Sequence, residues 1–254
     1  MVRQRKPFQG VMNIVRFNWP LYLLSAIVFL LLFSLLFFST GTFRHLTAIA
    51  AFLVFIPVFS SLLVSWYVYD ISGLYSFQWL DVLPDLTGKM IVNIHSGFDE
   101  FSHVLHQKFP GAVLKVYDFY NPIVHTEASV RRARRMYPAH PGTIQVSTDK
   151  LPCVERSARY VFLVFAAHEI RNTEERIVFF GEVRRTLDIA GRVVVIEHLR
   201  DFSNFLAYNV GFFHFHKRKQ WMSTFRQAGF TVESEVSLNP FIRKFVLQPN
   251  GNPA

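Results

Sequence analysis

The sequence predicts an α/β protein that begins with a transmembrane helical hairpin, and two patterns support this prediction. Residues 17–43 and residues 46–69 contain no Asp, Glu, Lys or Arg. At about 1.5 Å of rise per residue, each run is long enough to cross a hydrocarbon layer about 30 Å thick. Beyond residue 90, short β-rich runs alternate with amphipathic helical patterns, which favours a mostly parallel sheet covered by helices on both faces.

The two apolar runs predict membrane spans at about residues 19–39 and 46–68, joined by the short turn STGTFRH. A cleaved signal peptide has a shorter apolar core, and a core helix of a soluble domain is rarely apolar on every side for so long. Four basic residues precede the first span, and the turn carries only Arg44. By the positive-inside rule, we expect a multi-pass protein of the inner (cytoplasmic) membrane, with both termini and the following domain in the cytoplasm.

The charge of the chain is concentrated in its N-terminal part. The net charge is +9, and residues 1–69 hold five basic and no acidic residues, which leaves 22 basic and 18 acidic residues for the remainder. This distribution favours contact with a lipid bilayer over nucleic acid. The cluster RRARR, residues 131–135, predicts a solvated or lipid-facing helical stripe. Cys153 is the single cysteine, which excludes an intrachain disulfide and a cysteine-rich zinc site, and we expect no metal.

Composition divides the rest of the chain into an interfacial linker over residues 70–89, an α/β domain over residues 90–248 and a tail over residues 249–254. One helix illustrates the predictions within the domain: Asn172 or Thr173 caps its start, and Gly191 lies just past its end. The predicted strands and helices are Met90–Ile94, Asp99–Lys108, Val113–Tyr117, Thr126–Met136, Thr143–Val146, Tyr160–Ala166, Thr173–Leu187, Arg192–Glu197, Gln220–Ala228, Thr231–Val236 and Lys244–Leu247.

Polar residues follow the predicted strands, where open α/β sheets bind their ligands. They are His95, Ser96, Asp99, Asp118, Ser147, Thr148, His168, Glu169, His198, Arg200 and Asp201. Because the carboxyl ends of parallel strands meet at one edge of a sheet, this edge is the predicted functional site.

Four stretches in order resemble the successive motifs of class I S-adenosylmethionine-dependent methyltransferases. They are IVNIHSGFDE, KVYDFYNP, STDKLPC and FLVFAAHEIRNTEERIVFFGEVRRTLDIAGRVVVIEHLRD, and the resemblance covers roughly residues 85–248. It implies a Rossmann-like seven-stranded methyltransferase domain whose last strand is antiparallel. It also implies S-adenosylmethionine as cofactor.

The resemblance assigns cofactor-binding roles by position. Asp118 would take the ribose hydroxyls, since a carboxylate accepts two hydroxyl hydrogen bonds at once. The loop of the family commonly has three glycines, whereas this chain has His95 and Asp99 at the first and third of those places and Asn93 in place of a common acid. Asp99 either favours the cationic cofactor or caps the following helix. The other implied residues are His95, Ser96 and Gly97 with Asn93 in the first loop, and Ser147 and Thr148 near the adenine.

His168 and Glu169 stand where the resemblance places residues that face the methyl group, and a general base there suits a pKa near neutrality. The alternative is that His168 is a structural histidine. The aromatic stretch 201–220 predicts a slot for a hydrophobic acceptor, with Asp201, Asn204 and His214 as polar contacts, although core packing also explains the rings.

These observations predict a membrane-anchored enzyme that methylates a hydrophobic aromatic or lipid-like small molecule. A non-catalytic membrane adaptor on the same fold is the alternative. The sequence does not specify the identity of the acceptor, the methylated atom or the oligomeric state.

Overall fold

The computed structural model describes residues 6–124 and 127–251, which form two compact units. The first, here named the hairpin unit, comprises residues 6–76 and 201–212. The second, the sheet unit, comprises the other described residues, 77–124, 127–200 and 213–251. The predicted start of one helix at Thr126 lies outside the described residues.

The hairpin unit contains two helices long and apolar enough to cross a membrane. The first agrees with the predicted span to within one residue, and the second begins at Gly41 rather than near residue 46, because the predicted turn contains no helix breaker after Gly41. The helices are α1 (Gln9–Phe17), which was not predicted, α2 (Trp19–Phe38), α3 (Gly41–Trp66) and α7 (Phe202–Tyr208), and a π-helical turn at Tyr67–Ile71 extends α3.

Asp70 fastens α1 to the end of α3. Its carboxylate accepts hydrogen bonds from the backbone nitrogens of Gly10 at 2.7 Å and Val11 at 2.9 Å. A Cβ atom at Gly10 would lie only 2.4 Å from the Cβ of Tyr69. The close approach of the two segments therefore requires glycine at this position.

The sheet unit contains seven strands in the order β3-β2-β1-β4-β5-β7-β6. The strand β7 runs antiparallel to β5 and β6, and the other pairings are parallel. This confirms the seven-stranded sheet and its antiparallel last strand. The strands are β1 (Met90–His95), β2 (Val113–Asp118), β3 (Ile144–Gln145), β4 (Ala158–Val164), β5 (Leu187–His198), β6 (Phe230–Asn239) and β7 (Ile242–Pro249). The helices are α4 (Phe101–Lys108), α5 (Ala128–Met136), α6 (Thr173–Thr186) and α8 (Arg218–Gln227).

The central strands of the sheet are apolar over most of their length because helices and loops cover both of their faces. From Val161 to Leu163 and from Val193 to Ile196, side chains are at most 2% exposed. The helix α6 contributes Phe179, Phe180 and Val183 to this core. The apolar sheet thus holds the ends of β1, β4 and β5 in fixed register.

One predicted helix end differs in the structure. The strand β5 begins at Leu187, directly after α6, so Gly191 lies within the strand and does not cap the helix. A Cβ atom at Gly191 would lie 2.9 Å from the carbonyl oxygen of Ala158 on the neighbouring strand. Close approach of two strands, and not a helix end, requires this glycine.

The N-cap of α6 agrees with the sequence, and it gives a stability prediction. Asn172 Oδ1 accepts a hydrogen bond from the backbone nitrogen of Glu175 at 2.9 Å. Replacing Asn172 by Ala should lower the free energy of unfolding by about 1 kcal/mol because that nitrogen loses its partner. The corresponding fall in Tm, about 2–4 °C, is measurable by thermal unfolding in detergent. Thr173→Ala is the matched control, and an equal fall in that variant would contradict the capping role.

The predicted linker over residues 70–89 is divided between the two units after Ser76. In the sheet unit, the rings of Phe77 and Trp79 pack against Phe101 with centroid distances of 5.1 and 5.7 Å. Leu80 and Leu86 are 1% exposed. The second half of this segment is therefore part of the hydrophobic core of the sheet unit.

Candidate active site

The loop between β1 and α4 is organised by Asp99. Asp99 Oδ1 accepts hydrogen bonds from the backbone nitrogens of Phe101 and Ser102, both at 2.9 Å. Asn93 Nδ2 donates to the same oxygen at 3.2 Å and to Ser102 Oγ at 2.8 Å. Asp99 therefore caps the start of α4, as one of the two alternatives predicted, and Asn93 holds it in place.

Three buried polar atoms of this loop have no hydrogen-bond partner among the described residues. They are His95 Nε2, Ser96 Oγ and the second carboxylate oxygen of Asp99, Oδ2, which lies 3.9 Å from His95 Nε2, beyond hydrogen-bond distance. Gly97, with φ of 88°, donates its backbone N–H to His95 Nδ1 at 3.2 Å. Because burying a polar atom without a partner is unfavourable, such atoms are typical of a surface that binds a polar ligand. One of the three is a carboxylate oxygen, an acceptor that suits a cationic ligand.

Asp118 at the end of β2 is buried and engaged on both oxygens. Oδ1 accepts from the backbone nitrogen of Tyr120 at 2.9 Å and lies 3.8 Å from His95 Nδ1. Oδ2 accepts a hydrogen bond from Arg134 Nη1. The guanidinium carbon of Arg134 lies 4.5 Å from the centre of the Tyr120 ring. A Cβ atom at Gly97 would come within 2.9 Å of the Arg134 side chain.

The contacts of Arg134 correct the prediction for the stripe 131–135. Arg131 and Arg135 are exposed, as expected for a solvated stripe. Arg134 is only 33% exposed and lies over the glycine of the first loop, paired with the carboxylate to which the resemblance assigned the ribose. Its helical position gave no signal of this pairing, because Asp118 lies on a separate element of the fold.

A cavity of about 650 Å³ opens at the ends of β2 and β3, and Phe119 and Arg134 lie on its wall. Ser147 and Thr148 lie on its wall, and Thr148 Oγ1 donates to Glu175 Oε1 at 2.7 Å. Gln145 Nε2 donates to the backbone oxygen of Tyr120 at 2.8 Å. The cavity thus collects the residues predicted after β3, and Arg134, the partner of Asp118, also lies on its wall.

His168, just beyond β4, lies between two carboxylates. Its Nδ1 is 2.7 Å from Glu197 Oε2, and its backbone nitrogen donates to Glu197 Oε1 at 3.1 Å. Its Nε2 is 3.4 Å from Glu169 Oε1. Glu197, near the end of β5, has no exposed surface. The bidentate contact of Glu197 fixes both the backbone and the ring of His168.

The charges of this cluster hold His168 in its protonated form. Burial alone would lower the pKa of His168, but Glu197 and Glu169 raise it to about 10. Burial would raise the pKa of Glu169, but the hydrogen bond and the charge of His168 lower it to about 2. The pKa of His168 therefore lies above the near-neutral range that suits a general base, because two carboxylates outweigh the burial of the ring.

Further charged residues adjoin Glu169. Arg171 Nη2 lies 3.9 Å from Glu169 Oε2 and donates to Glu127 Oε1 at 2.7 Å. His214 Nε2 contacts the same Glu127 oxygen, and Arg171 Nη1 donates to the His214 carbonyl at 3.1 Å. Burial and the charge of Arg171 lower the pKa of His214 to about 4, so its ring is neutral at pH 7. His214, predicted as an acceptor contact, thus belongs to the same charged cluster as Glu169.

Sequence reasoning missed Glu127, Arg171 and Glu197. For Glu197, a signal was present: an acidic residue in the otherwise apolar run VVVIEH requires a partner once the strand is buried. Glu127 and Arg171 carried no comparable signal, because each lies in an irregular segment.

Asp201 and Asn204 belong to the hairpin unit, not to the sheet unit that holds His168. Asp201 Oδ1 accepts from the backbone nitrogen of Asn204 at 3.0 Å and from its side-chain amide at 3.1 Å. This contact caps α7. Their predicted contact with an acceptor stays a prediction. Among the described residues, no cluster of three His, Cys, Asp or Glu side chains is arranged to hold a metal ion.

Solved structures of other proteins share the fold of this chain. No family model and no curated protein sequence matches the chain. The crystal structure of an S-adenosylmethionine-dependent methyltransferase from Aquifex aeolicus is similar with a TM-score of 0.52 and 17% identity, over 76% of this chain and 98% of that one. The PH0226 protein from Pyrococcus horikoshii OT3 gives a TM-score of 0.52 and 16% identity, over 72% and 91%. The pyocyanin biosynthetic protein PhzM gives 0.51 and 18%, over 74% and 57%.

The chain therefore has the fold of the class I S-adenosylmethionine-dependent methyltransferases. The strand order and the antiparallel β7 agree with the fold that the sequence motifs implied. At 16–18% sequence identity, these similarities show the fold alone. The chemistry of the chain must be inferred from its own residues.

Proposed function

We propose that the protein is a membrane-anchored methyltransferase that moves a methyl group from S-adenosylmethionine to a hydrophobic aromatic or lipid-like small molecule. The observation that carries this proposal is the cluster of Glu197, His168 and Glu169 at the strand ends of a methyltransferase fold. The same edge holds the loop with three buried polar atoms that have no hydrogen-bond partner in the part of the chain that the structure describes.

The residues of the first loop fit this cofactor. Asp118 would hold the ribose hydroxyls. His95 Nε2 and Ser96 Oγ are buried and make no hydrogen bond to any described residue, and Asp99 supplies a carboxylate oxygen that suits a cationic ligand. Ser147 on the cavity wall would approach the adenine. When bound, S-adenosylmethionine supplies a methyl group on a sulfonium centre. The contribution of the chain to an in-line displacement is mainly orientation of the two reactants.

At pH 7 the protonated His168 would orient the acceptor, and only its neutral form, which becomes populated as pH rises toward 10, would accept the proton of the acceptor. This neutral form is a strong base because Glu197 and Glu169 stabilise the imidazolium that results.

The hairpin supports a membrane location and hence a hydrophobic acceptor. No residue of α2 is buried, although its 20 residues are almost entirely apolar. In water, a helix with this composition would need protein to cover it. Insertion into the bilayer provides that cover, and the basic residues before α2 support a cytoplasmic sheet unit.

Arg134 gives a prediction about cofactor affinity. If it competes with the ribose for Asp118, Arg134→Ala should lower the Kd for S-adenosylmethionine by about threefold to tenfold, because the binding-competent site is no longer shared. Calorimetric titration in detergent measures this change. Arg135→Ala, on the same helix and exposed, is the control and should leave the Kd unchanged. Weaker binding in Arg134→Ala would show that Arg134 is a ligand contact.

The contact of Arg134 with Asp118 also favours the second candidate, a non-catalytic membrane adaptor on the same fold. In an adaptor this ion pair would be permanent, and the polar strand ends would serve a protein partner. The two candidates differ in whether S-adenosylmethionine displaces Arg134.

Transfer of label tests the proposed function. Purified protein in nanodiscs is incubated with methyl-tritiated S-adenosylmethionine and an organic extract of cell membranes, and the organic phase is then counted and separated. We expect one or more labelled hydrophobic products that are lost in His168→Gln. Equal labelling by wild type and variant, or none from any extract, would contradict the proposal.

A further inference from the structure

The segment that follows β5 makes an excursion from the sheet unit into the hairpin unit. It leaves after Arg200 and returns at Phe213. Within the sheet unit, its two ends are fastened together: the backbone nitrogen of Arg200 donates to the His216 oxygen at 2.9 Å, and Arg200 Nε donates to the Phe215 oxygen at 2.7 Å. Residues 201–212 therefore form a loop whose two ends are held together by hydrogen bonds in the sheet unit.

Within the hairpin unit, α7 packs against the C-terminal part of α3. The hydroxyls of Tyr208 and Tyr69 are 3.3 Å apart, and Asn209 Nδ2 donates to the carbonyl oxygen of Pro57 at 3.3 Å. Asn204 and Ala207 have no exposed surface. Residues 204, 207 and 208 are spaced three and four apart, so they form one face of α7.

The opposite face of α7 is apolar and exposed. Phe202 is 73% exposed, Phe205 43% and Leu206 53%, and these residues are also spaced three and four apart. Asp201, the one charged residue of the excursion, caps the helix. Three large apolar side chains together in water are unfavourable, and such patches mark contacts with protein or membrane.

The neighbouring helices indicate which of these contacts is made. The exposed surfaces of α2 and α3 are also apolar, with Leu30 63%, Phe52 66% and Phe59 52% exposed. The exposed face of α7 thus belongs to the hairpin unit, which is proposed to be inserted in the lipid bilayer. We infer that α7 is a third membrane element, an interfacial helix whose Phe202, Phe205 and Leu206 enter the bilayer beside the hairpin.

This inference rests on the proposed membrane anchoring, and it deepens the proposed function. The excursion carries Asp201 and Asn204, and it lies in the same aromatic stretch for which the sequence predicts an acceptor slot. A bilayer contact in this stretch supports an acceptor that is dissolved in the membrane and not in the cytoplasm.

Lipid quenching of a single-site fluorophore tests the inference. In a Cys153→Ser background, Phe202→Cys is labelled with an environment-sensitive dye and reconstituted in nanodiscs of phosphatidylcholine and phosphatidylglycerol, with and without spin-labelled lipid. Leu30→Cys on α2 is the membrane reference, and Lys150→Cys, exposed in the sheet unit, is the aqueous reference. Leu206→Cys repeats the measurement in case the first variant does not fold.

We expect lipid quenching at position 202 or 206 to be several times stronger than at position 150 and comparable to that at position 30. Quenching at the level of position 150 would overturn the inference, as would a probe that is shielded from both spin-labelled lipid and aqueous iodide, which indicates a protein partner or a second copy. If quenching by spin-labelled lipid at position 30 were also no stronger than at position 150, the proposed membrane anchoring itself would be overturned.

Discussion

Replacing His168 by Gln is expected to lower kcat for methyl transfer by about 10²–10⁴-fold, the usual contribution of a positioned general base. The glutamine preserves polarity and approximate size but cannot take up a proton near pH 10. Single-turnover transfer from labelled S-adenosylmethionine measures the chemical step directly. The Kd for the cofactor should change little, since the proposed cofactor contacts lie on other strands.

Glu197→Gln tests the effect of the Glu197 charge on the pKa of His168 while leaving the histidine in place. The variant keeps a hydrogen-bond acceptor but removes a charge that raises the pKa of His168. In the wild type, kcat should rise with pH toward about 10 as the neutral imidazole forms, and in Glu197→Gln this rise should begin at lower pH. A pH profile unchanged by Glu197→Gln would show that His168 has a structural role only.

His168 and Glu169 together give the free energy of unfolding a defined pH dependence. The pKa of His168 is raised from 6.5 to about 10, so its contribution is complete below pH 6.5 and is lost as pH rises toward 10. The pKa of Glu169 is lowered from 4.5 to about 2, so its contribution is complete above pH 4.5 and is lost as pH falls toward 2. The contribution of the pair is therefore greatest between these limits, and His168→Gln should flatten the alkaline side.

Replacing Asp118 by Ala is expected to weaken binding of S-adenosylmethionine by about a hundredfold or more. Two hydroxyl hydrogen bonds to a charged acceptor are each worth about 1.5–3 kcal/mol. The change also releases Arg134, whose positive charge then faces a cationic ligand without its carboxylate. Calorimetric titration of the detergent-solubilised variant measures the loss.

Two variants control for general damage to the fold. Asp118→Asn keeps the shape and removes the charge, so it should lie between the wild type and Asp118→Ala. Asp188→Ala, which removes a carboxylate paired with Arg159 near the start of β5, should leave the Kd unchanged. Equal losses in Asp118→Ala and Asp188→Ala would contradict a specific role for Asp118.

Much of the fold follows from local patterns. Long apolar runs predict α2 and α3, and apolar strands that end in polar residues predict the sheet and its functional edge, since burial on both faces leaves the central strands apolar. The N-cap at Asn172 is a local hydrogen bond and was therefore visible in the sequence. The short helix α7 was missed because its seven residues lie within a continuous aromatic run.

The details of the site depend on contacts between residues far apart in the chain. Arg134 reaches Asp118 from another element, and Glu197 reaches His168 across neighbouring strands. Neither pairing is specified by spacing or periodicity. The resulting charges also explain why the pKa of His168 is far above neutrality, which its position in the sequence alone does not indicate.

Direct titration of S-adenosylmethionine into the wild-type protein, solubilised or in nanodiscs, tests the central claim most directly. The account predicts saturable binding with a micromolar Kd, one site per chain, in spite of the single glycine in the loop IVNIHSGFDE. Folded protein that shows no heat of binding, even with Arg134→Ala, would contradict the account and support the adaptor.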